Sequence, residues 1–275
     1  MVKKKLIDAS KSKLFPDFKE LYNYRDLFYS LAWRDFRVRY AQTTIGFLWA
    51  VLQPVVTLMI LSIVFGRFVG VTTEVPHLLF TVAGTTIWSY FSYVMTNSGN
   101  SIITNQNMIQ KIYFPRLIIP LSKAIVGFID FGISLLIMVV LLFYYNITPS
   151  SNIWYAPIFI LIGIISALSI GIWLSSLTVR YRDFQHVVPF IIQIGLYITP
   201  IAYPAEFAMQ KLPAWASTLY YLNPMAGVMQ GFRWSVFGGE APGNLIFISI
   251  SMVVIMFITG MAYFSKIEDE MADFV

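Results

Sequence analysis

The stretch FGISLLIMVVLLFYYNITPSSNIWYAPIFILIGIISALSIGIWLSSLTV, Phe131–Val179, contains no Asp, Glu, Lys or Arg. Asn, Pro and Ser residues at 146–152 divide it into two apolar runs, and such residues are typical of turns. Each run can supply the roughly 20 apolar residues that a membrane-spanning helix needs. The stretch therefore predicts two transmembrane helices joined by a short loop.

Uncharged runs of this kind recur on both sides of the stretch, at Ala41–Gly66 and Ala241–Ser265. The 275-residue chain is 57% hydrophobic and 12% charged, which a water-soluble core of this size does not need. We predict an all-α polytopic membrane protein with six transmembrane helices, at 44–67, 78–97, 117–144, 154–178, 184–203 and 244–265. The predicted domains are a cytoplasmic amino-terminal segment (1–43), the transmembrane domain (44–265) and a short cytoplasmic tail (266–275).

The distribution of Lys and Arg predicts the orientation. Ten of the nineteen precede Ala41, and six more lie on the same side, either between spans, near the start of the third span or after the last span. Only Arg67, Lys211 and Arg233 fall on the other side, and cytoplasmic loops are the ones that collect basic residues. Both termini are therefore expected in the cytoplasm, and the net charge of +5 does not indicate a nucleic-acid partner.

Two segments outside the spans are also apolar. Within residues 19–40, Leu21, Tyr24, Phe28 and Leu31 recur at helical spacing, which predicts an amphipathic helix lying in the headgroup region. Residues 205–243 contain many aromatic side chains but are interrupted by prolines and a Gly-Gly pair. We expect this segment to form short re-entrant helices between the fifth and sixth spans.

Hydroxyl residues form a stripe on the second span, where they fall within about 80° of arc at ~100° per residue. The stripe has two explanations: close helix packing through small residues, or one wall of a path for a hydroxylated solute. Polar and aromatic residues on the first and fifth spans could complete such a path. The candidate channel-lining residues are Gln53, Thr57, Thr81, Thr85, Trp88, Ser89, Ser92, Gln193 and Tyr197.

Asp130 is predicted near mid-bilayer, since it lies about 21 Å along the third span from Arg116. A carboxylate there costs about 2.5–3.5 kcal/mol on insertion scales, so it should face a partner or water. Proton coupling and a structural hydrogen bond between helices are both compatible with this position.

The chain has no cysteine, two histidines and no GxxxxGK[ST] phosphate-binding loop. We therefore predict no catalytic residue, no metal site and no cofactor in this chain. If ATP drives the protein, another chain must bind it.

Four segments carry a resemblance to a known family. They are RDFRVRYAQTTIGFLWAVLQPV (Arg34–Val55), QKIYFPRLIIPLS (Gln110–Ser122), VRYRDFQHVVPFIIQIGLYITPIAYP (Val179–Pro204) and YLNPM (Tyr221–Met225). In this order they resemble the permease subunits of ABC-2 type polysaccharide exporters. The similarity runs from about Arg34 to Lys266.

The resemblance implies a homodimer of six-span permeases, each resting on a separate ATPase subunit that holds ATP and Mg²⁺. It implies that 97–114 contains a coupling helix that docks on the ATPase, and that the turn at Arg180 contacts the ATPase or anionic lipid. The implied contact residues are Asn105, Gln106, Asn107, Gln110, Lys111, Arg180, Arg182 and Asp183. Arg34, Arg37 and Arg39 are expected at the cytoplasmic entrance, where they could attract a pyrophosphate.

The implied function is export of undecaprenyl-pyrophosphate-linked polysaccharide, O-antigen in particular, across the bacterial inner membrane through a channel between the two copies. Teichoic acid export and drug export remain alternatives within the family. A proton-coupled carrier centred on Asp130 and a membrane-embedded transferase are alternatives outside it.

Overall fold

The computed structural model describes residues 16–40, 46–210 and 213–268. The predicted boundary at 43/44, Lys211 and most of the predicted cytoplasmic tail lie outside the described residues, as does most of the segment before α1. The described residues form helices and no strand, which confirms the all-α class. The amino-terminal and first spanning helices are α1 (Phe18–Asn23), α2 (Arg25–Tyr40) and α3 (Gly46–Leu61), and α3 continues as a π-helix, Ser62–Phe68.

The remaining helices follow in chain order. They are α4 (His77–Gly99), α5 (Ser101–Thr104), α6 (Gln106–Ile109), α7 (Ile118–Tyr144), α8 (Ala156–Arg180, preceded by a 3₁₀ turn at Ser151–Tyr155), α9 (Phe184–Ile198), α10 (Ala205–Met209), α11 (Ala214–Tyr220), α12 (Pro224–Phe237) and α13 (Ile246–Glu268).

Five helical segments in the described part of the chain are long and apolar enough to cross a membrane: Leu48–Phe68, His77–Gly99, Ile118–Tyr144, Ser151–Arg180 and Ile246–Glu268. They correspond to five of the predicted spans, so the chain is a multi-pass membrane protein. The predicted span at 184–203 is shorter than expected. Its helix α9 ends at Ile198 because Thr199, which precedes Pro200, is extended with φ −76° and ψ 142°.

Helix α4 lies at the centre of the fold. It packs against α7 on one side and α8 on the other, and α8 packs in turn against α13. Small residues allow these close approaches: a Cβ added at Gly171 of α8 would lie 2.7 Å from the Cβ of Ser98 on α4. Of the 18 consecutive residues that form the apolar part of each span, 78% are buried in α4 but only 17% in Leu48–Phe68. The first span is therefore left largely uncovered by the rest of the chain.

The helix predicted over residues 19–40 is present as two consecutive helices, α1 and α2, and their apolar side packs against protein. Leu31 is buried in an apolar cluster with Ile102, Phe114 and Ile118, and Phe28 packs against the same cluster. The apolar residues that we expected in the headgroup region thus contact protein instead. Large side chains on the opposite side are exposed, namely Tyr22, Tyr29, Trp33 and Val38.

The segment between α9 and α13 is hydrogen-bonded to its neighbours at two places. Ser150, in the loop before α8, donates its backbone N–H to the Val236 carbonyl at 2.9 Å. Ser249 of α13 donates its hydroxyl to the Tyr221 carbonyl at 2.8 Å. Asn223 caps α12 by accepting from the Met225 N–H at 3.0 Å, with Pro224 at the first helical position.

Candidate functional site

A cavity of about 510 Å³ lies beside α4, between the end of α2, helix α3 and helix α9. Hydroxyl, amide and aromatic side chains predominate in its wall. The lining residues are Arg39, Tyr40, Trp49, Ala50, Gln53, Pro54, Thr57, Thr85, Trp88, Ser89, Ser92, Tyr93, Thr96, Asn97, Asp130, Ile192 and Leu196.

The structure brings six of the predicted channel-lining residues together in this wall: Gln53, Thr57, Thr85, Trp88, Ser89 and Ser92. The other three lie elsewhere. Thr81 is fully buried and donates to the His77 carbonyl at 2.7 Å. Gln193 lines a neighbouring cleft that Trp88 also borders. Tyr197 is 59% exposed on the surface of α9.

The hydroxyls of the stripe present acceptors to the cavity. Thr85 donates to the Thr81 carbonyl at 3.1 Å, Ser89 to Thr86 at 3.1 Å, and Thr96 to Ser92 at 2.8 Å. Since each O–H is used within α4, the oxygen lone pairs remain available to a ligand. Hydroxylated molecules are suited to such a wall because they can donate to it.

Trp88 forms an aromatic part of the wall where α4 meets α9. Its ring lies 5.3 Å from that of Phe91, measured between centroids. Gly195 leaves the room for it, because a Cβ there would lie 2.7 Å from the Trp88 ring. Trp88 also borders a second cavity, together with Phe91, Trp173 and Ile194.

Asp130 lies at the margin of the cavity and is engaged by two residues at the end of α2. Its Oδ2 is paired with the Arg39 guanidinium, and its Oδ1 accepts from the Tyr40 hydroxyl at 2.6 Å. Burial and the bond to Asp130 raise the pKa of Tyr40 above its ordinary value, so the phenol remains a donor at physiological pH. The guanidinium also lies 4.3 Å from the centroid of the Tyr93 ring.

A second buried pair joins α2 to α7. Lys123 of α7 is ion-paired with Asp35, which also accepts from Arg34 at 2.9 Å. Asp35 interrupts the apolar side of α2 because its partner lies there. Each helix contributes one acidic and one basic residue to these pairs, and each of these is opposite in charge to its partner on the other helix: Asp35 to Lys123, and Arg39 to Asp130. This complementarity was the sequence signal for the arrangement, but the sequence did not show that the two helices meet.

The three arginines predicted at the entrance differ in their surroundings. Arg34 is bonded to Asp35, and its Nη2 also donates to Asn105 Oδ1 at 2.8 Å. Arg39 is paired with Asp130. Arg37 is exposed, with its guanidinium 6.0 Å from the centroid of the Trp33 ring. Two of the three cations are therefore already neutralised within the chain.

The predicted coupling segment contains the short helices α5 and α6. Asn107, Gln110 and Lys111 are exposed and Gln106 is half-buried, whereas Asn105 is buried and donates to the Ser101 carbonyl at 2.8 Å. Asn105 thus supports the segment from inside instead of presenting its side chain on the surface.

The second predicted contact region lies at the same end of the molecule. Arg180, Arg182 and Asp183 are exposed in the turn between α8 and α9. Thr178 at the end of α8 donates to the Gly99 carbonyl at 2.6 Å, which joins this turn to the start of the coupling segment. At this end, the Arg116 backbone N–H also donates to Glu268 Oε1 at 2.9 Å.

Arg233 of α12 is a buried polar residue that the sequence did not single out. Its guanidinium donates to the carbonyls of Pro200 at 2.6 Å and Ile201, and lies 3.7 Å from the Phe80 ring centroid. These carbonyls belong to the segment in which α9 has ended, so they lack helical partners. No sequence signal could connect Arg233 with the segment after the end of α9, where its acceptor Ile201 lies 32 residues earlier in the chain.

The described residues contain no group of three or more His, Cys, Asp or Glu side chains that could hold a metal ion. The prediction that the chain holds no metal or cofactor stays a prediction.

Comparison with known proteins gives matches over most of the chain. A family model described as "ABC-2 type transporter" matches residues 26–237. The O-antigen export system permease protein RfbA of Klebsiella pneumoniae is 30% identical over 250 residues, covering 90% of this chain and 94% of the relative. The protein of that name from Myxococcus xanthus is 26% identical, covering 93% and 97%. The polysialic acid transport protein KpsM of Escherichia coli is 23% identical, covering 86% and 92%.

Proposed function

The chain belongs to the ABC-2 type transporter family, and from this premise we propose that it is the permease subunit of a lipid-linked polysaccharide exporter. Its cargo would be a polymer carried on undecaprenyl pyrophosphate, and the names of its relatives favour O-antigen. Export of teichoic acid or of a small molecule is the nearest alternative.

The polar cavity is the observation that carries the proposal. Its volume of about 510 Å³ is in the range of small-molecule pockets, so it can accommodate a few sugar residues at a time. Acceptor oxygens on α4 and the rings of Trp49 and Trp88 offer many weak contacts and no single tight one. A conduit for a long polymer needs such contacts, because each unit must leave as readily as it enters.

The energy for transport would come from a separate ATPase subunit, two per complex, each with ATP and Mg²⁺. Exposed Asn107, Gln110 and Lys111 in the coupling segment and the exposed turn at Arg180 support this, since both face the surface at one end of the molecule. The hydrogen bond between Thr178 and Gly99 would let the two regions move together.

A homodimer would cover the side of the protein that a single chain leaves open. Leu48–Phe68 is the least buried span, and the neighbouring α9 exposes large apolar residues such as Phe190 and Ile194. We place the partner copy against α3 and α9, so that the cavity beside them continues into a channel between the two copies.

The fifth of the six spans in this proposal is α9 together with the residues after it. A 15-residue helix extends about 22 Å, which is less than the roughly 30 Å of the hydrocarbon core. Thr199 and the residues between it and α10 would supply the remaining length. Helices α10 to α12 would then be the re-entrant region on the outer side, and both termini would be cytoplasmic in the bacterial inner membrane.

The alternative of a proton-coupled carrier gains no support from the surroundings of Asp130. Both of its carboxylate oxygens are engaged by residues of α2, which is the arrangement of a structural tie between helices.

Reconstitution tests the proposed function. The protein and its cognate ATPase are placed in vesicles, and transfer of lipid-linked polysaccharide across the bilayer is measured with ATP, without ATP and without the ATPase. We expect transfer only when ATP and the ATPase are both present. Transfer by the permease alone would contradict the proposal, as would a complex that hydrolyses ATP without moving the polymer.

A further inference from the structure

We propose that the cavity selects uncharged sugar residues and that Asp130 is the specificity-determining residue, because it neutralises Arg39. This inference rests on the proposed function and adds the chemical class of the sugar units that the cavity accepts.

The charge of the cavity carries the inference. Among the described residues that line it, Arg39 and Asp130 are the charged ones, and they are paired with each other. Residues 41–45, which join α2 to α3, contain no Asp, Glu, Lys or Arg in the sequence. The cavity therefore combines hydrogen-bonding groups with no net charge.

The pair is held in place from several sides. Tyr40 occupies the second carboxylate oxygen of Asp130, and the Tyr93 ring covers the guanidinium of Arg39. In their pair, the side chains of Arg39 and Asp130 are 32% and 13% exposed. Asp130 cannot turn to a ligand unless these contacts break, whereas Arg39 Nη1 is buried without a hydrogen-bond partner among the described residues and can still donate to a sugar hydroxyl.

An anionic sugar meets two obstacles in such a cavity. Its carboxylate would lose hydration without gaining a free cation, since Asp130 already occupies Arg39. Its attraction to Arg39 would also be offset by repulsion from Asp130, so the pair supplies little electrostatic free energy to compensate for the lost hydration. A neutral sugar meets neither obstacle, because its hydroxyls can donate to the oxygens of Thr85 and Ser89 and bond the amides of Gln53 and Asn97.

The test compares two hexasaccharides that differ in charge, maltohexaose and hexagalacturonate, on the complex of the full chain with its ATPase in lipid nanodiscs. Dissociation constants are measured by saturation-transfer NMR titration. We expect the native protein to prefer maltohexaose by about tenfold, which corresponds to about 1.4 kcal/mol. Equal binding of the two probes would overturn the inference, and so would binding of neither.

Two variants identify the residue responsible. Asp130→Asn preserves the shape of the side chain and leaves Arg39 as an unpaired cation, so the preference should move towards hexagalacturonate by at least tenfold. The double variant Arg39→Gln/Asp130→Asn removes both charges and should restore the preference for maltohexaose. If the single variant keeps the native preference, or the double variant keeps that of the single one, Asp130 does not set the specificity.

Asp26→Asn is the matched control. It removes a carboxylate from α2, the helix of Arg39, but the Asp26 side chain is 93% exposed, and the ratio of the two affinities should stay unchanged. The outcome is separable from that of the proposed function. A complex that moves polymer with ATP but shows no charge preference overturns only this inference, whereas failure of ATP-dependent transfer overturns the function whatever the ratio.

Discussion

The guanidinium of Arg34 donates a 2.8 Å hydrogen bond to the side-chain oxygen of Asn105, 71 residues further along the chain. The bond joins α2 to the junction of α5 and α6, within the proposed ATPase-docking segment. The same helix reaches the cavity through Arg39, five residues after Arg34. Helix α2 thus contacts both the segment that would receive motion and the cavity that would respond to it.

Loss of this bond is expected to reduce coupling between ATP hydrolysis and transport. In Arg34→Ala, about 1 kcal/mol of net hydrogen-bond free energy is removed, so the polymer moved per ATP hydrolysed should fall roughly fivefold. The measurement is the ratio of transport to ATPase rate in vesicles. Arg37→Ala removes the same charge from an exposed position and should leave the ratio near its native value. Equal losses in both variants would indicate a general charge effect.

The buried pair of Asp35 and Lys123 predicts an asymmetry in stability. Asp35→Asn leaves Lys123 buried without a carboxylate, which should cost about 3–5 kcal/mol. Lys123→Met should cost less, about 1–3 kcal/mol, because Arg34 still neutralises Asp35. The midpoint of thermal unfolding in detergent measures both.

The double variant Asp35→Asn/Lys123→Met should recover most of the stability that Asp35→Asn loses, since the buried ammonium of Lys123 is gone and Arg34, which is partly exposed, keeps Asn105 and water as partners. Asp26→Asn, at an exposed carboxylate of the same helix, should not shift the midpoint. A double variant as unstable as the sum of the two single ones would show that the pair does not interact.

Close packing between α4 and α8 predicts that Gly171→Ala is destabilising. The added methyl group would lie 2.7 Å from the Cβ of Ser98, and overpacking of this kind costs about 1–3 kcal/mol. Gly132→Ala in α7 is the control, because nothing lies within 4 Å of a Cβ there. The unfolding midpoint should fall in the first variant and stay constant or rise slightly in the second.

The proposed docking of the ATPase can be mapped with single cysteines, because the chain has none of its own. Asn107→Cys, at an exposed position of α6, should crosslink to the ATPase through a short bifunctional reagent. Thr148→Cys, exposed in the loop between the third and fourth predicted spans, should not. Crosslinking is read from the mass of the product on a gel. Reaction only at Thr148→Cys would place the ATPase elsewhere. Equal reaction at both sites would contradict docking at this segment.

The class of fold could be predicted from the sequence because it depends on local composition, and the family could be predicted because four segments resemble those of its members. An uncharged stretch such as Phe131–Val179 has no favourable alternative to a membrane-spanning helix pair. The ends of the spans were predicted from the sequence less accurately. The predicted fifth span continued to residue 203, although Pro200 already indicates an extended residue at Thr199 and thus an end near Ile198.

The candidate site was predictable only in part. The hydroxyl stripe on α4 is a property of one helix, so its period identified Thr85, Ser89 and Ser92. Thr81 lies on the same stripe but is buried near His77, where neighbouring elements cover it. The sequence likewise indicated that Asp130 needs a partner, but it could not indicate which residue provides it.

The sequence by itself determined that long apolar runs must leave water as helices and which single helices carry polar faces. Each of these follows from the transfer of side chains between water and hydrocarbon, a property of residues close together in the chain. Only the tertiary structure decided that Arg39 neutralises Asp130, that Arg34 supports Asn105, and that the cavity has no net charge. Such pairings depend on which helices pack together. The paired residues lie some 70 to 90 positions apart, and no local pattern in the sequence determines that their helices meet.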